Sequence, residues 1–245
     1  MALDATNCNE PVLYKLGNST YIVAYDGASS KGELKTYKVT SSGNTITSVD
    51  EYVFTDTTRI CNHPDIAQVN QTIFALTYSR KEGAKYSSVI MTVIIKQNGL
   101  ITKYNLDNLT FNFPASTSSQ ATAVTNPLIV HANGRVFAIT YKNNAAGNGL
   151  ATLRIGENGN ITEACDMTLA VGGDTSDISI ISITSNRYIL GYGSGGVFVR
   201  LVKILINPKE RMIFSKLGSY ELYANGTAVW AKITDATAAH KVQTL

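Results

Sequence analysis

Thiols, an imidazole and several amides gather in front of three prolines. The stretch CNEPVLYKLGNSTYIVAY from Cys8 is echoed by CNHPDIAQVNQTIFALTY from Cys61, and His63 stands inside the second copy. Cys8 and Cys61 each precede a proline, Pro11 or Pro64, by three residues, while Val124 holds that place before Pro127. Three readings are open for the cysteines. They are small buried apolar residues, or a Cys8–Cys61 disulfide if their Cα atoms come within about 7 Å, or two metal ligands with His63 as a third. Zinc takes four ligands at compact spacings, and no fourth is evident, so no metal site and no cofactor is expected. Cys165 has no counterpart in the other copies and reads as core.

The amides suggest recognition. Asn9, Asn62 and Asn126 stand two, two and one residues before their prolines. An amide both donates and accepts, which suits a pair of sugar hydroxyls; the same side chain also holds its own loop in Asx-turns. Around them come Glu10, Asp26, His63, Arg80, Lys81, Tyr86, Lys142, Asn143, Asn144 and Asn148, a rim of mixed charge expected to bind a neutral or weakly anionic glycan. Catalysis finds less support. Cleaving a glycosidic bond takes two carboxyl groups about 5–9 Å apart, and the candidates Glu10, Asp26, Asp65, Glu82 and Asp174 recur in no diagnostic context. His63, His131 and His240 build no Ser/His/Asp set by spacing, and His131 falls inside a strand, where packing explains it.

What positions these residues is a repeat. Pro11, Pro64 and Pro127 precede Tyr25, Tyr78 and Tyr141 by fourteen residues each, with VLYKLGNSTYIVA, DIAQVNQTIFALT and LIVHANGRVFAIT between. A fourth copy, SIISITSNRYILGY, lacks the proline, and a fifth, YELYANGTAVWAKI, lacks the tyrosine. After each tyrosine comes a glycine-containing loop and a run centred on threonine, Thr36, Thr92 or Thr152. A turn such as SSGNTI, KQNGLI or GENGNI and a looser last run follow. Short β-branched and aromatic runs between Gly/Asn/Ser turns read as antiparallel strands with tight hairpins, and no helical period is sustained.

Four-stranded units starting near residues 11, 64, 127, 178 and 219 predict an all-β fold, a β-propeller of four-stranded antiparallel blades forming one domain over residues 1–245. Five blades are expected, with residues 1–6 completing the last by pairing with the C-terminal strands, since closure removes an exposed sheet edge. A net charge of +3 spread along the chain points to no nucleic acid. No window of about 18 apolar residues suggests membrane insertion, and no signal peptide is read in MALDATNCNE.

The run from Pro through the Asn-Gly turn, (V/I)FA(I/L)TY, the glycine loop, T-x-x-I and NG-x-I-T resembles the propeller repeats of secreted and cell-surface proteins of archaea, methanogens especially. The third copy, Asn126 to Leu169, carries it most fully. Five-blade geometry is also similar, by analogy of shape, to tachylectin-type lectins. The resemblance implies a surface location. Five sequons, Asn18, Asn70, Asn108, Asn160 and Asn225, fit an extracellular or cell-surface glycoprotein.

The tight A–B turns (GNST, NQT, NGR) contrast with long, individual D–A and B–C loops, which share the other face of a propeller. Recognition is expected on those loops. The function so expected is a non-catalytic surface or adhesion module binding a glycan or surface protein. The alternatives are a structural unit of a surface array and a five-bladed glycoside hydrolase or lyase.

Overall fold

The computed structural model describes residues 9–55, 60–82, 85–111, 124–143, 147–168, 175–184, 187–194, 197–207, 211–216, 220–224 and 229–233. The first blade is β1 (Asn9–Lys15), β2 (Thr20–Asp26), β3 (Gly32–Val39) and β4 (Ile46–Val53). The second is β5 (Ile60–Gln68), β6 (Ile73–Glu82), β7 (Lys85–Ile94) and β8 (Asp107–Phe111), and the third β9 (Val124–Asn133), β10 (Val136–Asn143), β11 (Gly147–Ile155) and β12 (Ile161–Thr168). In the fourth, β13 (Thr175–Thr184), β14 (Arg187–Ser194), β15 (Val197–Asn207) and β16 (Arg211–Lys216) are followed by β17 (Tyr220–Ala224) and β18 (Val229–Ile233). Each sheet is an antiparallel meander in chain order. The first strands β1, β5, β9 and β13 are neighbours in space from one blade to the next, which sets the blades side by side in a β-propeller-like, all-β arrangement. A single 3-10 turn, Ala28–Ser30, is the one helical element among the described residues.

The repeat motif explains the packing. A blade's second strand is covered on both faces, so it reads as a near-continuous apolar run, TYIVAYD in β2. Each seam sets small or short residues of one blade against large ones of the next. Ile22, Ala24 and Leu34 meet Phe74, Leu76, Tyr78 and Met91 in the first seam. Ala75 and Ile90 meet Phe137, Ile139, Tyr141 and Leu153 in the second, and Ala138 and Leu150 meet Tyr188, Leu190 and Val202 in the third. Fully burying such a side chain stabilises by roughly 1.5–3 kcal/mol. The motif's tyrosine is buried in each of the first three copies: Tyr78 and Tyr141 lie in seams, and Tyr25 clusters with Val23 and Tyr37 of its own blade.

The repeated threonines and Asn-Gly turns join blades on the face away from the loops. Thr36 Oγ1 donates to the Gly99 carbonyl at 2.6 Å, and Thr92 Oγ1 to the Gly159 carbonyl at 2.7 Å. Beside each, a carboxylate from the same blade accepts a backbone N–H from that next turn. Ile101 donates to Asp50 Oδ2 at 2.9 Å and Ile161 to Asp107 Oδ2 at 2.8 Å. Gly99 and Gly159 hold φ of 93° and 89°, a region open to glycine. A Cβ on Gly159 would lie 2.6 Å from Leu106 Cδ1. The latch thus needs threonine on one blade and glycine on the next.

The end of the chain differs from the five-bladed expectation. The hairpin read as the start of a fifth blade does form, with Tyr223 opposite Trp230. It continues the fourth sheet instead, β17 pairing with β16 from Lys216–Tyr220 to Ile213–Tyr223. A hairpin is specified by its own turn, whereas which sheet it joins depends on edges distant in sequence. Residues 1–6, expected to close the ring, lie outside the described residues.

Candidate functional site

At the loop-bearing face the innermost strands share a backbone irregularity. Glu10, His63 and Asn126, each directly before a proline, have φ of 52°, 49° and 53°. In all three the register with the neighbouring strand shifts at this point, between Asn9 and Val12, between Asn62 and Asp65, and opposite Thr140 to Lys142. These are β-bulges, which re-aim a side chain. A residue before proline normally stays extended, and a left-handed non-glycine residue costs on the order of 1–3 kcal/mol, a strain that collects at functional sites.

The bulges turn groups of one blade onto the next. Glu10 Oε1 lies 2.8 Å from His63 Nδ1, and Glu10 Oε2 accepts the His63 backbone N–H at 2.6 Å. In the next seam Ser79 Oγ accepts the Asn126 backbone N–H at 2.9 Å. Only the first contact brings two ionisable groups together. Both remain open to solvent, with side-chain exposures of 38% for His63 and 39% for Glu10. Because Nδ1 faces the carboxylate, the imidazole proton is held there and Nε2 is left as the basic nitrogen.

Asp26 ends β2 opposite Asn9 and is only 5% exposed. Burial raises its pKa to about 6, the nearby Glu10 carboxylate adds to the rise, and a hydrogen bond from Asn9 opposes it. Its Oδ1 is buried without a hydrogen-bond partner among the described residues, and so is Arg80 Nε. Leaving a buried polar atom unpaired costs about 1–3 kcal/mol, so the mouth of the first seam is under-satisfied where the latches are not. Asp65 is also raised by burial, to about 6, yet it accepts N–H bonds from Ile66 and Ile129 and serves as a brace between blades.

The other expected residues fall into place around this group. Asn62 and Lys142 are half-buried, and Lys81 lies 5.2 Å over the Tyr86 ring, so that ring is already in use. Asn143 and Asn148 pair across β10–β11 with Gly147 and Lys142; their side chains, and Asn144, lie outside the described residues, as do Asp174 and the side chains of Glu82 and Cys165. Cys61 is a free, fully buried thiol. Burial first, then Asp26 and Glu10, push its pKa well up, so it stays protonated; Cys8 lies outside the described residues. Cys61 Sγ packs where a Cβ on Gly32 would come, 2.9 Å away. No group of three or more His, Cys, Asp or Glu is placed to hold a metal ion among the described residues. His131 packs on Phe137 at 5.0 Å.

The sequons differ in what their amides do. Asn18, Asn108 and Asn160 are exposed. Asn70 is bound into structure: its Nδ2 donates to the Glu157 carbonyl in the next blade at 3.1 Å while Oδ1 accepts from Thr72 and Ile73. Asn225 lies outside the described residues. The sequence does not show which positions at the mouth are equivalent in backbone. The asparagines are out of register with one another, and the equivalent positions are the pre-proline residues, two of which ionise.

No protein-family model matches this chain, and no curated protein does. Among solved structures, the periplasmic gluconolactonase of Pseudomonas aeruginosa aligns over 98% of this chain and 85% of its own, with 11% identity and a TM-score of 0.42. An endo-arabinase of Bacteroides thetaiotaomicron aligns over 95% and 96%, at 8% and 0.46. A protein from Lactobacillus plantarum aligns over 93% and 67%, at 10% and 0.49. Likeness this distant transfers no activity to the chain. The expectation of a non-catalytic adhesion module finds no support here: the functional names these structures carry, a lactonase and an arabinase, are those of enzymes.

Proposed function

We propose that the chain is a hydrolase that opens a small carboxylic ester or lactone at the mouth of the first seam by general acid–base catalysis. The observation that carries this reading is the Glu10–His63 pair across two blades beside a buried, raised-pKa carboxyl, Asp26. Separated environments of this kind divide acid and base roles between neighbouring groups. Glu10 holds the imidazole, and His63 Nε2 takes a proton from water as the water oxygen attacks the acyl carbon. Asp26 gives its proton to the departing alkoxy oxygen. The proton on His63 then returns the site to its starting state through Asp26 or solvent. The reaction consumes one water and needs no other reactant.

The test is a pH-stat screen of γ- and δ-lactones and aryl esters, with aryl glycosides as a contrasting set. Ester or lactone turnover is expected, falling 10²- to 10⁴-fold, on the order of a lost general acid or base, in His63→Gln and in Asp26→Asn. Turnover confined to glycosides, or unmoved by both substitutions in folded protein, contradicts the reading.

A further inference from the structure

The two unpaired atoms at the mouth lie in one seam. Along β2, Asp26 follows Ile22 and Ala24 in the two-residue alternation of a strand, and both of those face the second blade. Along β6, whose register with β7 is unbroken from Ile73 to Glu82, Arg80 follows Phe74, Leu76 and Tyr78, all of which face the first blade. Arg80 stands opposite Cys61, another residue of that seam. Both Asp26 and Glu10 act on the Cys61 thiol, which places the two carboxyls and the strand opposite Arg80 at the same end. Asp26 and Arg80 form no ion pair with each other. A buried acceptor, Asp26 Oδ1, and a buried donor, Arg80 Nε, thus both lack partners among the described residues where the first two blades meet.

We propose that this seam receives a hydroxyacyl group, Arg80 donating to its carbonyl or carboxylate oxygen and Asp26 accepting from its hydroxyl. This rests on the hydrolytic reading and sharpens it to hydroxy-esters and hydroxy-lactones, with Arg80 as a substrate-contacting residue. A guanidinium suits the task because its planar fork matches a carboxylate or a developing oxyanion, and a partner that supplies both a donor and an acceptor satisfies both atoms at once. A simple carboxylate only accepts, so it satisfies Arg80 Nε and leaves Asp26 Oδ1 buried and unmet. Discrimination against an analogue that lacks the hydroxyl follows from that asymmetry.

Calorimetric titration with lactate and 3-hydroxybutyrate, and with butyrate as the analogue without a hydroxyl, tests the proposal on the whole chain. The wild type is expected to bind one of the hydroxy acids at least tenfold more tightly than butyrate. Arg80→Gln should weaken that binding tenfold or more, and Arg80→Lys nearly as much, because an ammonium lacks the fixed Nε–H. Near-UV circular dichroism checks the fold, and Arg80→Lys and the butyrate comparison decide if Arg80→Gln does not fold. His63→Gln should abolish hydrolysis while keeping hydroxy-acid binding. Binding that depends on Arg80 in a chain that hydrolyses nothing would therefore retain the receiver and remove the hydrolytic reading. Absence of binding to the wild type, equal affinity for butyrate, or Arg80 variants that bind as the wild type does would overturn the receiver: the slot would then hold only water.

Discussion

The two faces of this repeat are built from the same strands and used in opposite ways. Away from the loops, Thr36 and Thr92 close on Gly99 and Gly159, and Asp50 and Asp107 accept the N–H groups of Ile101 and Ile161. Each of these groups meets its partner across a seam. At the loop face the first seam holds Glu10 and His63 at positive φ and leaves Asp26 Oδ1 and Arg80 Nε unpaired. One face spends its polar groups on joining blades; the other keeps them strained and unsatisfied, as sites that must meet a substrate do.

Substitutions should separate the faces, the largest effect coming from the mouth. His63→Gln is expected to remove hydrolysis by at least about a hundredfold with no more than a small change in melting temperature, measured by pH-stat and thermal circular dichroism. On the latch face the order of effects reverses. Gly159→Ala meets both a positive φ and Leu106 Cδ1 at 2.6 Å, and should destabilise by about 2–3 kcal/mol in urea unfolding. Thr92→Val leaves the Gly159 carbonyl without its donor and should cost about 1–3 kcal/mol, with turnover per folded molecule unchanged.

Asp26→Asn joins the two comparisons because it should move activity and stability in opposite directions. The folded pKa of Asp26 is raised from 3.8 to about 6. The folded state therefore binds more protons than the unfolded state between those values, and stability falls as pH rises through that window. Removing the charge should stabilise the fold at pH 7 by on the order of 1–2 kcal/mol and give no gain near pH 3, as thermal unfolding at the two pH values would record. For the same reason wild-type turnover should decline as pH rises above about 6, when Asp26 loses the proton it donates. The smallest effect is expected at Gly43, which has φ of 73° and no atom within 4 Å of an added Cβ; Gly43→Ala should cost about 1 kcal/mol.

The scaffold was legible because it is written in local signals. The Asn-Gly turns, the alternating runs and the recurring tyrosine mark strands and blades, and they recur where the structure has them. Thr36 and Thr92 were visible as a repeated position, but their partners lie 63 and 67 residues away, a pairing no local pattern announces. The mouth was harder still. Proline argues for an extended residue before it, so the left-handed turn at Glu10, His63 and Asn126 runs against the local rule. It is accompanied by contacts with the neighbouring blade, Glu10 with His63 and Ser79 with Asn126. The asparagines alone do not show this equivalence, which the backbone gives to Glu10, His63 and Asn126. Glu10, Asp26 and His63 each stand out in the sequence as rim residues, but no local spacing announces that Glu10 of the first blade meets His63 of the second. The final hairpin shows the same limit: its strands β17 and β18 pair as the sequence suggests, but on the edge of the fourth sheet rather than in a separate blade.

The most direct measurement is lactone and ester hydrolysis by the wild type, Asp26→Asn and Thr92→Val, compared side by side with each protein's melting temperature at pH 7. The account predicts an Asp26→Asn protein that melts higher and turns over at least about a hundredfold more slowly, and a Thr92→Val protein that melts lower and turns over at the wild-type rate. Hydrolysis that survives undiminished in Asp26→Asn, or that fails in folded Thr92→Val, would contradict the division of labour between the two faces.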